Sequence, residues 1–254
     1  MTVELVDAII ISIIILGAII GFKQGAIKTL VQFLGLFLVI IISFLLKDKL
    51  MVILYKNLPF FDFFGKVRGI QSMNILLYQL ISFLIIFAGM MFIFKVLLVI
   101  SGLIEYILKL TIFLSIPSKL LGIVVGAIQY YVYIFIALYI LTIPIFNIKI
   151  LDNSELSPKI LNDTPILSKM TYKTTDTYND VWNILKNNKK YNNSKKNTLV
   201  LASLLDHKLI TIDDAKKLVS SNKIVIDNEE ILKKYTNDDK FYNKVKEIYE
   251  NENN

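Results

Sequence analysis

The sequence predicts an all-α polytopic membrane bundle of about four transmembrane segments and an interfacial helix, followed by a small helical, partly disordered C-terminal tail. Three observations predict it. Of 254 residues 55% are hydrophobic, and the mean hydropathy of +0.58 is too high for an ordinary soluble domain. Several apolar runs exceed the roughly 18 residues that a helix needs to cross the hydrocarbon core. Beyond Ile150 the composition changes abruptly to Asn, Lys and Asp.

The first run, "LVDAIIISIIILGAIIGF" (5–22), is preceded by Glu4 and carries Asp7, where a signal peptide would have basic residues. No small-residue cleavage motif follows, so it reads as a retained span. The second, "AIKTLVQFLGLFLVIIISFLL" (26–46), begins almost at once, which makes the pair a tight hairpin or one sharply broken re-entrant element; "KDKL" closes it. Residues 47–73 read as a mixed loop in which Pro59 interrupts any helix and Phe60, Phe61, Phe63 and Phe64 suit the headgroup boundary.

The third run spans about 74–100, with Lys95 placed where its stem can snorkel. In "LIEYILKLTIFLSI" (103–116), Glu105 and Lys109 at i, i+4 suit a helix lying along the interface, or a short re-entrant piece. The fourth span, 117–144, is bounded by Pro117 at its first turn and by Pro144. Its tyrosines 130, 131, 133 and 139 exceed what a lipid-facing helix needs.

Three regions follow: a transmembrane domain over 1–146, a polar linker over 147–198 with one weak helix around "YNDVWNILKN", and a helical tail over 199–254. In the tail a turn is expected at His207 and Lys208, Thr211 with Asp214 fits a capping box, and "EEILKKYTNDDKFYNKVKEIY" reads as a last amphipathic helix. Residues 1–146 carry ten Lys/Arg against five Asp/Glu, net +5, and residues 147–254 eighteen against sixteen, net +2. So balanced a tail is a poor nucleic-acid surface, and no nucleic-acid partner is expected.

Chemistry has little to rest on. The chain has no cysteine and one histidine, His207, which reads as a surface turn residue. No phosphate-binding glycine loop, nucleophile elbow or HExxH motif occurs. No enzyme, catalytic residue, metal or cofactor is expected. Asp213-Asp214 and Asp238-Asp239 read as first-turn or solvated charges. Asp7 and Glu105, the carboxylates nearest apolar segments, read mainly as helix-end charges, with proton or cation passage as the functional alternative.

The motif that stands out is "GAIIGFKQG". Gly17, Gly21 and Gly25 line one helix face, and Gly122 and Gly126 with Ala127 repeat the spacing in the fourth span. Small residues at that interval let membrane helices approach closely, where lipid supplies no hydrophobic drive between them. Phe22 to Gly25 then reads as the reversal, with Lys23 at its corner.

Asp7, then Gly17, Gly21, Phe22, Lys23 and Gly25, then "SKLLGIVVG" with Lys119, Gly122 and Gly126, is similar to the colicin V production protein (CvpA) family of bacterial membrane proteins over about residues 4–145. Gln24 stands where a second basic residue is usual and Ser118 where Asn or Asp is. The resemblance implies a multi-pass cytoplasmic-membrane protein serving colicin V or toxin production, secretion and envelope assembly, with no established reaction. Its expected partners are the lipid bilayer and proteins bound through the tail, with self-association into a homo-oligomer left open. A channel or transporter component with glycine-broken helices, Lys23 and Lys95 selecting ions, is the alternative.

With four spans both termini share one side. That side holds Lys47, Lys49, Lys56, Lys66, Arg68, Lys149 and Lys159, against Lys23, Lys28, Lys95, Lys109 and Lys119 opposite. Seven against five favours cytoplasmic termini.

Overall fold

The structure, a computed structural model, describes residues 2–100, 115–142, 154–187, 191–235 and 240–252. Nearly all of them are helical, with no strand among the described residues: the fold is an all-α polytopic bundle. In order come α1 (Thr2–Gln24), α2 (Ala26–Asn57), a 3-10 turn (Gly65–Val67), α3 (Met73–Ile100) and α4 (Ser115–Leu141). The more polar part holds α5 (Leu156–Asp163), α6 (Leu167–Asn187), α7 (Asn193–Asp206), α8 (Ile212–Ser220), α9 (Glu230–Lys233) and α10 (Phe241–Asn251).

Four helices are long and apolar enough to cross a membrane: Leu5–Gln24, Ala26–Asn57, Met73–Ile100 and Pro117–Leu141. The interfacial helix expected at 103–116 lies largely outside the described residues, as do Glu105, Lys109, Asp238 and Asp239.

Gly25 is the hinge between the first two helices. Its φ of +79° is left-handed, its N–H donates to Gly21 O at 2.9 Å, and its own carbonyl accepts from Thr29 Oγ1 at 2.8 Å. α1 therefore ends in a glycine cap, and α2 starts on the next residue. α2 also runs eleven residues beyond the apolar stretch that predicts it. "KDKL" ends the greasy run but contains no glycine or proline, and three of its four residues are good helix formers, so the helix continues to Asn57, two residues before Pro59.

The chain divides into two compact units, Met1–Lys47, Ser82–Leu141 and Ile148–Ser168 in the first, and Asp48–Ile81, Thr142–Asn147 and Lys169–Asn254 in the second. In the first, α1 packs along α4, and α5 packs on both. Phe44, Phe83 and Tyr139 form its aromatic centre, with ring centroids 4.9 Å apart for Phe44 and Phe83 and 5.7 Å for Phe44 and Tyr139.

In the second unit α7 and α10 pack together. Leu199 to Leu205, Val181, Ile184, Phe241, Val245 and Tyr249 are buried, beside Tyr55, Met73 and Leu76 from the ends of α2 and α3. The stretch expected as a polar linker, 147–198, contains all of α5 and α6 and the start of α7. The last amphipathic helix is in two pieces, α9 and α10. Asp206 starts the second by accepting from the Phe241 and Tyr242 amides at 3.1 and 2.8 Å.

Buried side-chain hydrogen bonds tie the inter-helix loop to this unit's C-terminal helices. Asn197 Oδ1 accepts from Ser72 N at 3.1 Å, and its Nδ2 donates to Gly69 O at 3.4 Å and to Gln71 Oε1. Lys223 Nζ donates to the carbonyls of Tyr55, Lys56 and Leu58 at 2.9, 2.8 and 3.2 Å, closing the C-terminal end of α2. Asp214 accepts from Tyr55 OH at 2.9 Å and pairs with Lys56 at 2.8 Å. Thr211 Oγ1 caps α8 by accepting from Asp214 N, but the reciprocal half of the capping box is missing because Asp214's carboxylate is turned to Tyr55 and Lys56.

Candidate functional site: a polar cavity among apolar helices

Gly17, Gly21, Gly122 and Gly126 meet in one helix crossing. A Cβ on Gly21 would strike Gly122 O, and one on Gly126 would strike Gly17 O, so the two backbones touch with no space for any side chain. At the end of the crossing, Lys119 Nζ stands 5.9 Å from the Phe22 ring centre, a cation–π distance. Ser118, buried beside it, accepts from Ala26 N at 3.0 Å and so caps the first turn of α2 from α4. Lys23 is exposed at the corner next to Gly25.

Asp7 stands apart, ten residues before Gly17 or about 15 Å along the helix. Its carboxylate accepts from Ser154 Oγ at 2.5 Å, Glu155 N at 3.2 Å and Leu156 N at 3.3 Å. The helix N-terminus it meets is that of α5, which arrives from 147 residues later. The four tyrosines of α4 also have inward tasks. Tyr130 packs on Gly17, Tyr131 OH is 2.8 Å from Thr164 Oγ1, Tyr133 OH accepts from Gln129 Nε2 at 3.1 Å, and Tyr139 is in the aromatic centre.

Beside the glycine crossing lies a cavity of about 270 Å³, floored by Gly17, Gly21 and Gly126. Its polar lining is Gln24 from α1, Thr29 and Gln32 from α2, Lys95 from α3, and Gln129, Tyr130 and Tyr133 from α4. Gln129 is 6% exposed, yet a polar atom this deep needs a partner, and Tyr133 OH supplies one. Gln24 Oε1 is buried with no hydrogen-bond partner among the described residues. Among the described residues no carboxylate lines the cavity, and Lys95 is the formal charge they bring to it. Thr29, Gln32 and Gln129 were not marked by sequence reasoning; the available signal is an amide or hydroxyl inside an apolar run, which costs stability unless it has a partner or a role.

A larger cavity, about 460 Å³, lies in the second unit against Asp176, Asp180, Asp206, His207 and Tyr242. Two of its carboxylates are already engaged: Asp206 caps α10, and Asp180 accepts from Ser203 Oγ at 2.8 Å and lies 3.0 Å from His207 Nε2. His207 lies in the turn expected with Lys208, half-buried and paired with Asp180. Burial opposes charging of its ring, but the Asp180 hydrogen bond and the charges of Asp180, Asp176 and Asp206 outweigh it and raise its pKa. Among the described residues no His, Asp and Glu group has an arrangement that could hold a metal.

The family model described as Colicin V production protein matches residues 6–165, which contain α1 to α5 and every residue of the glycine crossing and the polar cavity. No curated protein and no solved structure matches the chain.

Proposed function

The chain belongs to the colicin V production protein family, and on that premise we propose that it is a non-enzymatic component of the bacterial cytoplasmic membrane serving toxin production or secretion and envelope assembly. The observation that carries this reading is that one chain combines a membrane-helix unit with a second folded unit rich in exposed polar helices. Protein partners dock on the second unit, where Tyr172 and Val225 are exposed. A photo-crosslinker at either position in native membranes is expected to capture a discrete protein adduct. Adducts only from the lipid-facing side of α3, and none from these two, would overturn the assignment.

The excess of basic residues, seven against five, supports a cytoplasmic second unit. Because the chain has no cysteine, Lys216→Cys can be labelled alone. It is expected to react with an impermeant maleimide only after the cells are opened; labelling of intact cells would reverse the orientation.

The cavity favours a second reading, a small channel or transporter component, because polar groups at membrane depth mark solute or ion paths. Liposomes holding the purified chain are then expected to pass small anions, with passage reduced by Lys95→Met. Silence across ions and membrane tension removes this reading and leaves the first untouched.

A further inference from the structure

We propose that the cavity beside the glycine crossing binds a hydroxyl-bearing phosphate ester of the glycerol phosphate type, with the phosphate on Lys95 and a hydroxyl of the ligand donating to Gln24. This goes beyond both readings above, since a bound headgroup requires neither a protein partner nor ion passage.

Charge selects the anion. Lys95 is exposed at the mouth of the cavity, and among the described lining residues it has no carboxylate to meet, so an anion is the charge it favours in a ligand. Tyr133 adds a donor: its oxygen already accepts from Gln129, so its own proton points elsewhere and serves a phosphate oxygen. The orphaned Gln24 Oε1 asks for the opposite, a donor. An ammonium headgroup would satisfy it but would bring a second positive charge into a cavity that already has one, whereas a hydroxyl satisfies it without that repulsion.

Size narrows the ligand. About 270 Å³ falls just under the ~300 Å³ at which pockets for drug-sized molecules begin, so a headgroup fits and a peptide does not. Position agrees. Gln24 is the last residue of α1, the end at which a spanning helix of this length meets the headgroups.

The test uses the full chain in nanodiscs made of equal phosphatidylglycerol and phosphatidylcholine, read by native mass spectrometry. One phosphatidylglycerol is expected to stay bound per chain, with retention at least tenfold above phosphatidylcholine. Lys95→Met is expected to abolish that preference and Lys28→Met, at the same end of the bundle but outside the cavity, to keep it. A second arm adds glycerol 3-phosphate to detergent-purified chain. Binding there that depends on Lys95, with no lipid retained, assigns the site to the free ester; lipid retention without it assigns the site to the headgroup.

Should Lys95→Met fail to fold, Gln24→Leu carries the test. It is expected to erase a several-fold preference for phosphatidylglycerol over phosphatidylmethanol, which has the phosphate but no head hydroxyl. Equal retention of charged and neutral lipid with no binding of glycerol phosphate overturns the proposal, as does wild-type behaviour in both cavity variants.

Discussion

The first unit and the second are held together by opposite means. In the first, α1 meets α4 glycine backbone on glycine backbone, an approach that the missing Cβ atoms allow. Both units bury large apolar side chains almost completely, Leu36, Ile40 and Phe83 in the first and Leu199, Leu204 and Val245 in the second, but in the second Asn197, Asp214 and Lys223 also reach across to backbone groups and partner side chains. The solvent explains the difference. Burying a Leu or Phe from water contributes about 1.5–3 kcal/mol, but lipid is as apolar as the side chain, so helices there gain mainly by closer approach.

Adding a methyl group should therefore break the first unit, whereas removing polar atoms should break the second. The largest effect is expected from Gly21→Ala, whose new Cβ meets the Gly122 carbonyl. Because a backbone cannot rotate away, the cost should reach the upper end of the ~1–3 kcal/mol typical of overpacking, or exceed it. Thermal unfolding in detergent reads it, and Gly89→Ala, which meets nothing within 4 Å, is expected to leave the midpoint unchanged or raised.

Next comes Asn197→Ala, which leaves the Ser72 amide buried without its acceptor and should cost about 2–3 kcal/mol. A loss below 0.5 kcal/mol in urea unfolding would mean that the loop from Gly65 to Ser72 is not held from α7. Asp214→Asn is smaller still, because Lys56 is 42% exposed and its pairing is screened. Burial pushes the Asp214 carboxyl up, but bonds from Lys56, Tyr55 and Thr211 bring it below the ordinary value. Its contribution is thus complete above about pH 4, the unfolded value, and is lost as pH falls through the lower native one. The Asn variant should flatten that acid limb.

The smallest effect belongs to His207, whose raised pKa gives the opposite sign. Its stabilisation is present below about pH 6.5, the unfolded value, and disappears as pH rises through the native one. His207→Gln should remove this slope at a cost below about 1 kcal/mol, as for a partly exposed pair. A variant with an unchanged slope between pH 6 and 8 would sever the link to Asp180.

How much of this is legible in the sequence depends on whether a contact has a local signature. The glycine spacing is written in α1 and α4, and the four apolar runs announce their helices. The second half of α6 is the weak helix expected around "YNDVWNILKN", but its first half is concealed because its inner face includes Thr171, Thr174 and Thr177, all buried but not counted as apolar by any hydropathy reading. Asp7's partners are 147 to 149 residues away, and the polar cavity draws single residues from four helices. No window of neighbouring residues contains either arrangement.

Asp7's distant partner also has a consequence in time. A chain made at 5–20 residues per second reaches Ser154 roughly 7–30 s after Asp7 has been synthesised. Throughout that interval α5 is not yet made, and Asp7 lacks the hydroxyl and amides from which it accepts in the finished fold. The first helix is therefore completed by one of the last pieces of its own unit to leave the ribosome.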